Sequence, residues 1–304
     1  MGHFKHRLVV AGIFAIAYGV LMGLFVGWRS DHTFMFGLVL VMMLAHKESY
    51  KIVLALSGFA LFWIIYDALR IAPNYRFNDV HIKEPYEIEL ALFGIIDAGK
   101  LVVPCEWFLT RINDTASLIA GFSYILWMPA PMAYALYLYW KDWSILFDFS
   151  YGFLLTCFIG FFFYYAYPAA PPWYFLNHGV GTDFSIPGSE GLLSEFDRIL
   201  GVTIFNGIYA KGGNVFCAIP SLHSAYPMLC LLTALRRKTY TLAFVFLIWG
   251  FGTWFAAVYS QHHYIIDVLM GIFCAILGHF LIVKIQKFSW ISSFKKIFLK
   301  ELYL

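Results

Sequence analysis

Two short motifs place ionisable side chains in otherwise apolar sequence. The first, Pro-Ser-Leu-His, contains Ser221 and His223, and the second, His-Tyr-Ile-Ile-Asp, runs from His263 to Asp267. Ionisable groups are costly in apolar surroundings, so their presence there indicates a functional site. His263 and Asp267 are four positions apart, which puts them on one helix face and lets the carboxylate fix the imidazole tautomer. A lone histidine is more often structural, but this grouping favours catalysis.

The chemistry that suits these side chains is phosphoryl transfer. Each motif is expected at the start of a helix, where free backbone N–H groups and the helix dipole attract anions. One histidine can attack phosphorus while the other protonates the leaving oxygen. No cluster of Asp, Glu, His and Cys has the spacing of metal ligands, so the sequence predicts neither a metal nor another cofactor.

The elements that carry these motifs must be membrane helices. The chain has 304 residues, of which 61% are apolar and 13% charged, whereas soluble domains are about a quarter charged. A net charge of +3 gives no reason to expect a nucleic-acid partner. The predicted fold is all-α, a polytopic bundle of six to eight transmembrane helices. Apolar runs occur at about 7–27, 52–69, 116–140, 144–167, 241–259 and 264–285, with shorter ones at 33–46 and 220–235.

Basic residues in the short loops predict which side of the membrane the motifs face. Lys and Arg accumulate in cytoplasmic loops, which places Lys47, Lys51, Lys141 and the segment 236–238 inside. Both histidine motifs are then outside. We expect a multi-pass protein whose site faces the periplasm of a bacterial inner membrane, which the short tails favour, or the Golgi lumen in a eukaryote.

The chain is predicted to form one membrane domain over residues 1–304. Residues 1–115 would supply N-terminal spans and an outer interfacial helix, because polar and apolar residues recur at helical spacing between Glu89 and Leu109. Residues 116–288 would form a catalytic core of the six-helix type. This core includes an outer loop at 168–219, and loops of such length inside a compact domain are usually functional.

At the two motifs the sequence resembles the superfamily of type 2 phosphatidic acid phosphatases. These enzymes carry a PSGH-like element and a final SRxxxxxHxxxD element, which segments 220–223 and 256–267 match at the His and Asp positions. The resemblance implies that His263 is a nucleophile forming a phosphohistidine, that Asp267 orients it, and that His223 is the general acid and base.

The departures from that pattern are informative. Ala256 and Ala257 stand in place of Ser-Arg, Leu222 stands in place of Gly, and the upstream KxxxxxxRP element is not found. A phosphate monoester carries nearly two negative charges and calls for several cations, whereas a diester carries one. The residues present therefore favour a lipid phosphodiester as substrate.

A closer resemblance, to the fungal inositol phosphorylceramide synthases and their bacterial relatives, accounts for these departures. It implies transfer of phosphoinositol from phosphatidylinositol to a ceramide or dihydroceramide hydroxyl, with release of diacylglycerol. Other head groups, such as phosphoethanolamine, stay open. The blocks that carry it lie in the same order and cover about a third of the chain: 167–174, 186–188, 197–202, 219–225 and 262–267.

Further residues are candidates for substrate binding. Ser221 lies in the first motif. Tyr167 and Trp173 could shield the site from water or belong to an interfacial aromatic belt. Arg70 could contact substrate, but an ion pair with Asp67 is the alternative that we favour. The candidate cations are Lys211, Arg198, His262 and Arg70.

Two other functions remain open from the sequence. A lipid phosphate phosphatase would use water as acceptor, which the missing arginine disfavours. A membrane transporter or scaffold would use the ionisable residues as a relay.

Overall fold

The computed structural model describes residues 2–210 and 214–303 of the chain, and their regular structure is almost entirely helical. The predicted all-α class is therefore confirmed. The elements in chain order are α1 (Gly2–Val20), α2 (Ser30–Ala45), α3 (Lys47–Ala55), α4 (Ser57–Ala68), α5 (Lys83–Phe93), β1 (Ile95–Asp97), β2 (Lys100–Val102), α6 (Pro104–Trp107), α7 (Asp114–Ile125), α8 (Pro129–Lys141), α9 (Trp143–Ala166), α10 (Pro172–His178), α11 (Ser194–Leu200), α12 (Ile204–Tyr209), α13 (Leu222–Arg236), α14 (Tyr240–Tyr259), α15 (Ile265–Ile285) and α16 (Ser289–Tyr303).

Several helices have the length and composition of membrane spans, as a multi-pass membrane protein requires. Within the described residues, Phe4–Val26, Trp143–Ala166, Tyr240–Tyr259 and Ile265–Ile285 each qualify alone. The pairs α3 with α4 and α7 with α8 qualify together and raise the number to six. The short runs predicted at 33–46 and 220–235 correspond to α2 and α13. With 15 residues, α13 is roughly 22 Å long, short of a hydrocarbon core of about 30 Å.

Two predicted spans are broken rather than continuous. The pair α3 and α4 is bent by 58°, and the pair α7 and α8 by 46°. Proline explains the second break, because Pro129 at the start of α8 lacks the N–H that a continuing helix would need. The prediction of one uninterrupted helix at 116–140 was therefore wrong.

The predicted outer helix between Glu89 and Leu109 ends much earlier than expected. Helix α5 stops at Phe93, and the chain then forms an antiparallel hairpin of β1 and β2 in which Asp97 pairs with Lys100. Ala98 and Gly99 connect the strands with φ values of 47° and 82°. Two consecutive positive φ values are typical of the tight hairpin turns whose twist matches that of the strands. Local turn chemistry thus overrides the helical spacing of polar residues.

The described chain divides into two compact units, each assembled from separate segments. The first unit comprises Met1–Ala72, Met132–Leu154 and Phe280–Leu304, and the second comprises Pro73–Pro131 and Leu155–His279. The predicted single domain with a division near residue 115 stays a prediction.

The first unit buries polar side chains with partners. The Lys295 ammonium group donates to Asp148 at 2.7 Å, and Gln286 donates to the same carboxylate at 2.7 Å. Asp67 accepts from Arg29 at 3.0 Å and lies 2.9 Å from His32 Nε2. Such pairing offsets the cost of removing charge from water.

The second unit contains both histidine motifs and a core rich in tyrosine. Tyr124, Tyr259 and Tyr264 are each at most 1% exposed and belong to one apolar cluster. The outer segment 168–219 is held to this unit by backbone pairing, in which Ala169 bridges His81 and Cys217. The buried Asn74 side chain donates to the Phe216 carbonyl at 2.8 Å. This predicted loop is thus ordered where it is described and contains α10, α11 and α12.

Candidate active site

Backbone contacts hold the two histidine motifs side by side. Ser221 caps α13, and its own N–H donates to the carbonyl of Asp267 at 2.9 Å. Gly271, one turn further along α15, has no side chain, and a Cβ there would collide with the Ser221 carbonyl. Only glycine therefore permits this close approach of α15 to the start of α13. The sequence separates the motifs, and this contact brings them together.

The two histidine rings lie near each other, and aromatic rings pack against His223. The centroids of His223 and His263 are 6.0 Å apart. His223 stacks on Tyr124 with centroids 4.5 Å apart and meets the edge of Trp127 at 5.2 Å. These rings limit the orientations that His223 can adopt and reduce the access of water.

A backbone carbonyl fixes the tautomer of His263. Its Nδ1 lies 3.0 Å from the carbonyl oxygen of Ala218, and an oxygen of that kind can only accept a hydrogen bond. Nδ1 must therefore carry the proton, which leaves a lone pair on Nε2. Burial lowers the pKa of His263 to about 4, despite the opposing effect of the Ala218 hydrogen bond. The ring is thus neutral near pH 7, with Nε2 available as a nucleophile or base.

Asp267 lies beside His263 at a longer distance. Its Oδ2 is 3.5 Å from His263 Nδ1 and accepts a hydrogen bond from the Tyr264 N–H at 2.9 Å. Oδ1 is buried and has no hydrogen-bond partner within the described residues. Asp267 is therefore near enough to interact electrostatically with His263, while the hydrogen bond that orients the ring comes from Ala218.

Protein carboxylates occupy the N-terminus of α15, which we had expected to bind an anion. Glu89 of α5 accepts hydrogen bonds from the N–H groups of Ile265 at 2.9 Å and Ile266 at 3.2 Å. Asp267 accepts from Tyr264, so three donors of this helix start are already used. The expectation that these N–H groups hold phosphate was wrong. Burial raises the pKa of Glu89 to about 7, although the two N–H donors counteract the shift.

His262 has a different environment from the one predicted for a substrate-binding cation. Its Nε2 lies 2.9 Å from the Glu190 carbonyl, and its ring stacks on Tyr209 with centroids 4.5 Å apart. Burial lowers the pKa of His262 to about 3, so the ring is neutral at pH 7. The ring is buried and hydrogen-bonded to a backbone acceptor, which does not favour a cation here, and its role in substrate binding stays a prediction.

The predicted arginines are paired with carboxylates. Arg198 is exposed and donates to Glu195 at 2.8 Å and to Asp114 at 3.0 Å. Arg70 belongs to the first unit and lies 2.9 Å from Asp67, the ion pair that we favoured from the sequence. Lys211 lies outside the described residues.

The remaining candidate residues, Tyr167, Trp173 and Ser221, pack against neighbours or cap a helix. The Tyr167 ring stacks on His81 with centroids 3.8 Å apart. Trp173 is buried, and its backbone N–H donates to the carbonyl of Gln261, just before the second motif, at 3.0 Å. Ser221 Oγ accepts from the Ser224 hydroxyl at 3.0 Å. Their roles in substrate binding stay predictions.

The alanines in place of Ser-Arg are part of the core. Ala256 and Ala257 are fully buried in the apolar cluster that includes Tyr259 and Tyr264. The Ala257 carbonyl also accepts the His263 N–H at 3.0 Å. The missing guanidinium is thus replaced by apolar packing behind the His263 loop.

Three residues next to the motifs were not identified from the sequence. Tyr124 and Trp127 were part of a predicted span, and aromatic residues in a span carry no signal of a role. Glu89 had a weak signal, since it is an acidic residue on the apolar side of a short amphipathic segment. Nothing local connects it with the start of α15.

The membrane helices and the paired histidine motifs define a class of protein. A family model described as the PAP2 superfamily matches residues 100–281, more than half of the chain. The chain therefore belongs to the PAP2 superfamily.

Individual relatives narrow this class. The chain is 43% identical, over 90% of its own length and 90% of the relative's, to the phosphoinositol dihydroceramide synthase of Bacteroides thetaiotaomicron. It is 32% identical to the inositol phosphorylceramide synthase of Candida albicans, over 41% of this chain and 26% of that protein. No solved structure matches the chain. The predicted resemblance is confirmed, and the chain is a transferase homologous to the bacterial synthase.

Proposed function

We propose that this protein transfers phosphoinositol from phosphatidylinositol to the primary hydroxyl of ceramide or dihydroceramide and releases diacylglycerol. The proposal rests on the similarity to the bacterial synthase over nearly the whole chain. The observation that carries the mechanism is the hydrogen bond between His263 Nδ1 and the Ala218 carbonyl, which leaves Nε2 unprotonated.

In the first half-reaction, His263 Nε2 attacks phosphorus. An N–P bond forms as the bond between phosphorus and the diacylglycerol oxygen breaks, and His223 in its imidazolium form gives that oxygen a proton and becomes neutral. The ring of the phosphohistidine then carries a positive charge, which the Asp267 carboxylate, 3.5 Å from Nδ1, stabilises electrostatically.

In the second half-reaction, His223 takes the proton of the ceramide hydroxyl. The oxygen attacks phosphorus, the N–P bond breaks, and His263 returns to its neutral form. Transfer competes with hydrolysis only when water is scarce, and the rings of Tyr124 and Trp127 beside His223 favour that condition.

The distribution of basic residues supports a site on the non-cytoplasmic side. The candidate span α15 follows His263 and has Lys284 in its last turn. Basic residues mark cytoplasmic ends of spans. We infer that the site faces the periplasm of a bacterial inner membrane.

Purified protein in detergent tests the proposed reaction. Phosphatidylinositol supplied with dihydroceramide is expected to give phosphoinositol dihydroceramide and diacylglycerol in equal amounts. Without an acceptor, labelled diacylglycerol is expected to exchange into phosphatidylinositol, because a covalent intermediate makes the first half-reaction reversible. Release of free inositol phosphate as the main product would instead identify a hydrolase. No turnover of any phosphoinositol lipid would support the transporter or scaffold.

A further inference from the structure

A pocket in the first unit lies at the N-terminal end of the first candidate span. Its volume is about 480 Å³, and residues of α1, of the segment 45–51 and of α16 line it. None of these residues belongs to the unit that contains the histidine motifs. The pocket is therefore lined by the first unit alone.

The Arg7 side chain has unsatisfied donors at this pocket. Its Nε and Nη1 atoms are buried, and neither has a hydrogen-bond partner in the described part of the chain. A buried polar group without a partner is costly, and the cost is larger for a charged group. These two atoms lie on different edges of the guanidinium group and are closed off from solvent, so a ligand in the pocket would meet the rest of the Arg7 side chain. The permanent positive charge of that group favours an anionic ligand.

The charges around Arg7 leave the pocket cationic. Glu301, the lining carboxylate, already accepts a hydrogen bond from Tyr50 at 3.1 Å and lies 3.0 Å from His6 Nε2. Lys51 pairs with Glu48 at 3.4 Å. Over residues 2–210 and 214–303, Arg7 and Lys47 form no such ion pair. These two cations are the ones available to a ligand.

The position of the pocket indicates a ligand with a hydrophobic part. Arg7 lies in the first turns of the span Phe4–Val26, where a membrane protein meets the head-group layer. Phe4 and Leu8 flank it and are about half exposed, at 52% and 51%. A phosphate bound to Arg7 would thus have apolar helix surface beside it for acyl chains.

Helix α16 also lines the pocket, and its side chains are suited to the head-group layer of a membrane. It buries Ile291, Phe298 and Leu302 on one face, leaves Trp290 and Ile297 exposed, and contributes Glu301 from its last turn. A helix with large exposed apolar side chains and several lysines is typical of a membrane interface. The pocket is therefore bounded by elements that contact the head-group region.

We propose that this pocket binds the phosphate of an anionic phospholipid, with Arg7 and Lys47 as the contacting cations. The bound lipid is a structural partner of the first unit and takes no part in the transfer reaction. Basic pockets between membrane helices are suited to such head groups because electrostatic attraction adds to burial of the acyl chains.

Native mass spectrometry of the full chain, offered equal amounts of phosphatidylglycerol and phosphatidylcholine, tests this site. We expect the wild type to retain phosphatidylglycerol preferentially. Arg7→Gln and Lys47→Gln should each lower that retention about fivefold, the ratio expected for one cation near an anionic surface. Lys5→Gln is the matched control, because Lys5 is exposed and does not line the pocket. Its retention should equal that of the wild type.

Two further measurements distinguish a bound phospholipid from free phosphate and from a folding defect. Transfer activity measured in detergent without phosphatidylglycerol should be the same in Arg7→Gln and wild type, which shows that the variant is folded. Arg7→Lys, which keeps the charge, should retain more lipid than Arg7→Gln. The proposal is wrong if both lipids bind equally or if Arg7→Gln and Lys47→Gln bind as the wild type does. It is also wrong if inorganic phosphate alone binds the full chain as tightly as phosphatidylglycerol does, because the acyl chains would then contribute nothing and free phosphate would be the ligand.

Discussion

The imidazole Nδ1 of His263 is hydrogen-bonded to the main-chain carbonyl of Ala218 at 3.0 Å. Asp267 lies 3.5 Å from the same nitrogen. A carbonyl cannot take up a proton as a carboxylate can, so this bond secures the Nδ1–H tautomer whatever the protonation state of Asp267. A main-chain contact from the segment just before the first motif thus leaves Nε2 of His263 without a proton.

Replacing His263 should abolish the first half-reaction. We expect His263→Ala to lower both diacylglycerol release and diacylglycerol exchange by at least about 10⁴-fold, since the loss of a nucleophile removes the covalent route. Radiolabelled phosphatidylinositol provides the measurement. His178→Ala is the control, because His178 is exposed in the outer segment. Exchange that persists in the His263→Ala protein would contradict the assignment.

The role of His223 as proton donor depends on the leaving group. His223→Ala should lower turnover of phosphatidylinositol about 10²- to 10⁴-fold, the usual contribution of general acid catalysis. In a donor that carries 4-nitrophenol in place of diacylglycerol, the nitrophenolate group leaves without protonation. In the His223→Ala variant, release of nitrophenol should therefore fall far less than turnover of phosphatidylinositol. Stopped assays of both donors provide the comparison. An equal loss with both donors would show that His223 does not act as the acid.

The sequence marks the candidate side chains of the site more clearly than their surroundings. His223, His263 and Asp267 were identified because unusual residue types in apolar sequence and a spacing of four positions are local signals. The Glu89 contacts with Ile265 and Ile266 join distant segments, and no periodicity predicts such a contact. Pro129 and Gly99 are sequence signals of the helix break and of the hairpin turn. The sequence patterns around them continue across both positions, so these signals were overlooked.

His262 should make folding more sensitive to acid. Its pKa is lowered to about 3 in the fold from about 6.5 in the unfolded chain, so the unfolded state binds more protons between these values. The contribution of neutral His262 to the free energy of unfolding is therefore complete above about pH 6.5 and is lost as the pH falls towards the pKa of about 3. Between pH 7 and 5, the free energy of unfolding should fall by about 2 kcal/mol more in the wild type than in His262→Gln. Chemical denaturation of both proteins in detergent at the two pH values measures this difference.

The same variant tests whether His262 contacts substrate. A neutral ring bound to the Glu190 carbonyl contributes no charge to phosphate binding. The KM for phosphatidylinositol at pH 7 should therefore be nearly the same in His262→Gln and wild type. A large rise in KM without a change in stability would restore the substrate-binding role.

Glu89 should support catalysis by positioning the start of α15. Loss of its two hydrogen bonds in Glu89→Ala should lower the free energy of unfolding by about 2 kcal/mol. A displaced His263 loop should lower kcat about 10- to 100-fold with little change in KM. Glu87→Gln is the matched control, since Glu87 lies on the same helix and forms an exposed ion pair with Lys83 at 2.7 Å.

Glu89→Gln distinguishes positioning from simple packing. The glutamine has nearly the same volume but only one acceptor oxygen for the two N–H groups of Ile265 and Ile266. We expect an activity between those of wild type and Glu89→Ala. If Glu89→Gln is as active as the wild type while Glu89→Ala is merely unstable, the carboxylate does not position the helix.

Restoring the superfamily arginine should not restore a phosphatase. Ala257 is fully buried in the core behind the His263 loop, so Ala257→Arg must insert a long charged side chain among Tyr259, Tyr264 and their neighbours. Overpacking and an unpaired buried charge together should cost at least about 3 kcal/mol of stability. Thermal unfolding checks this, with Ala256→Ser as a control of small volume change at the adjacent buried position. A stable Ala257→Arg protein that hydrolyses phosphatidic acid would contradict this prediction. The guanidinium group would then reach the phosphate, and charge alone would separate hydrolysis of a monoester from transfer of a diester.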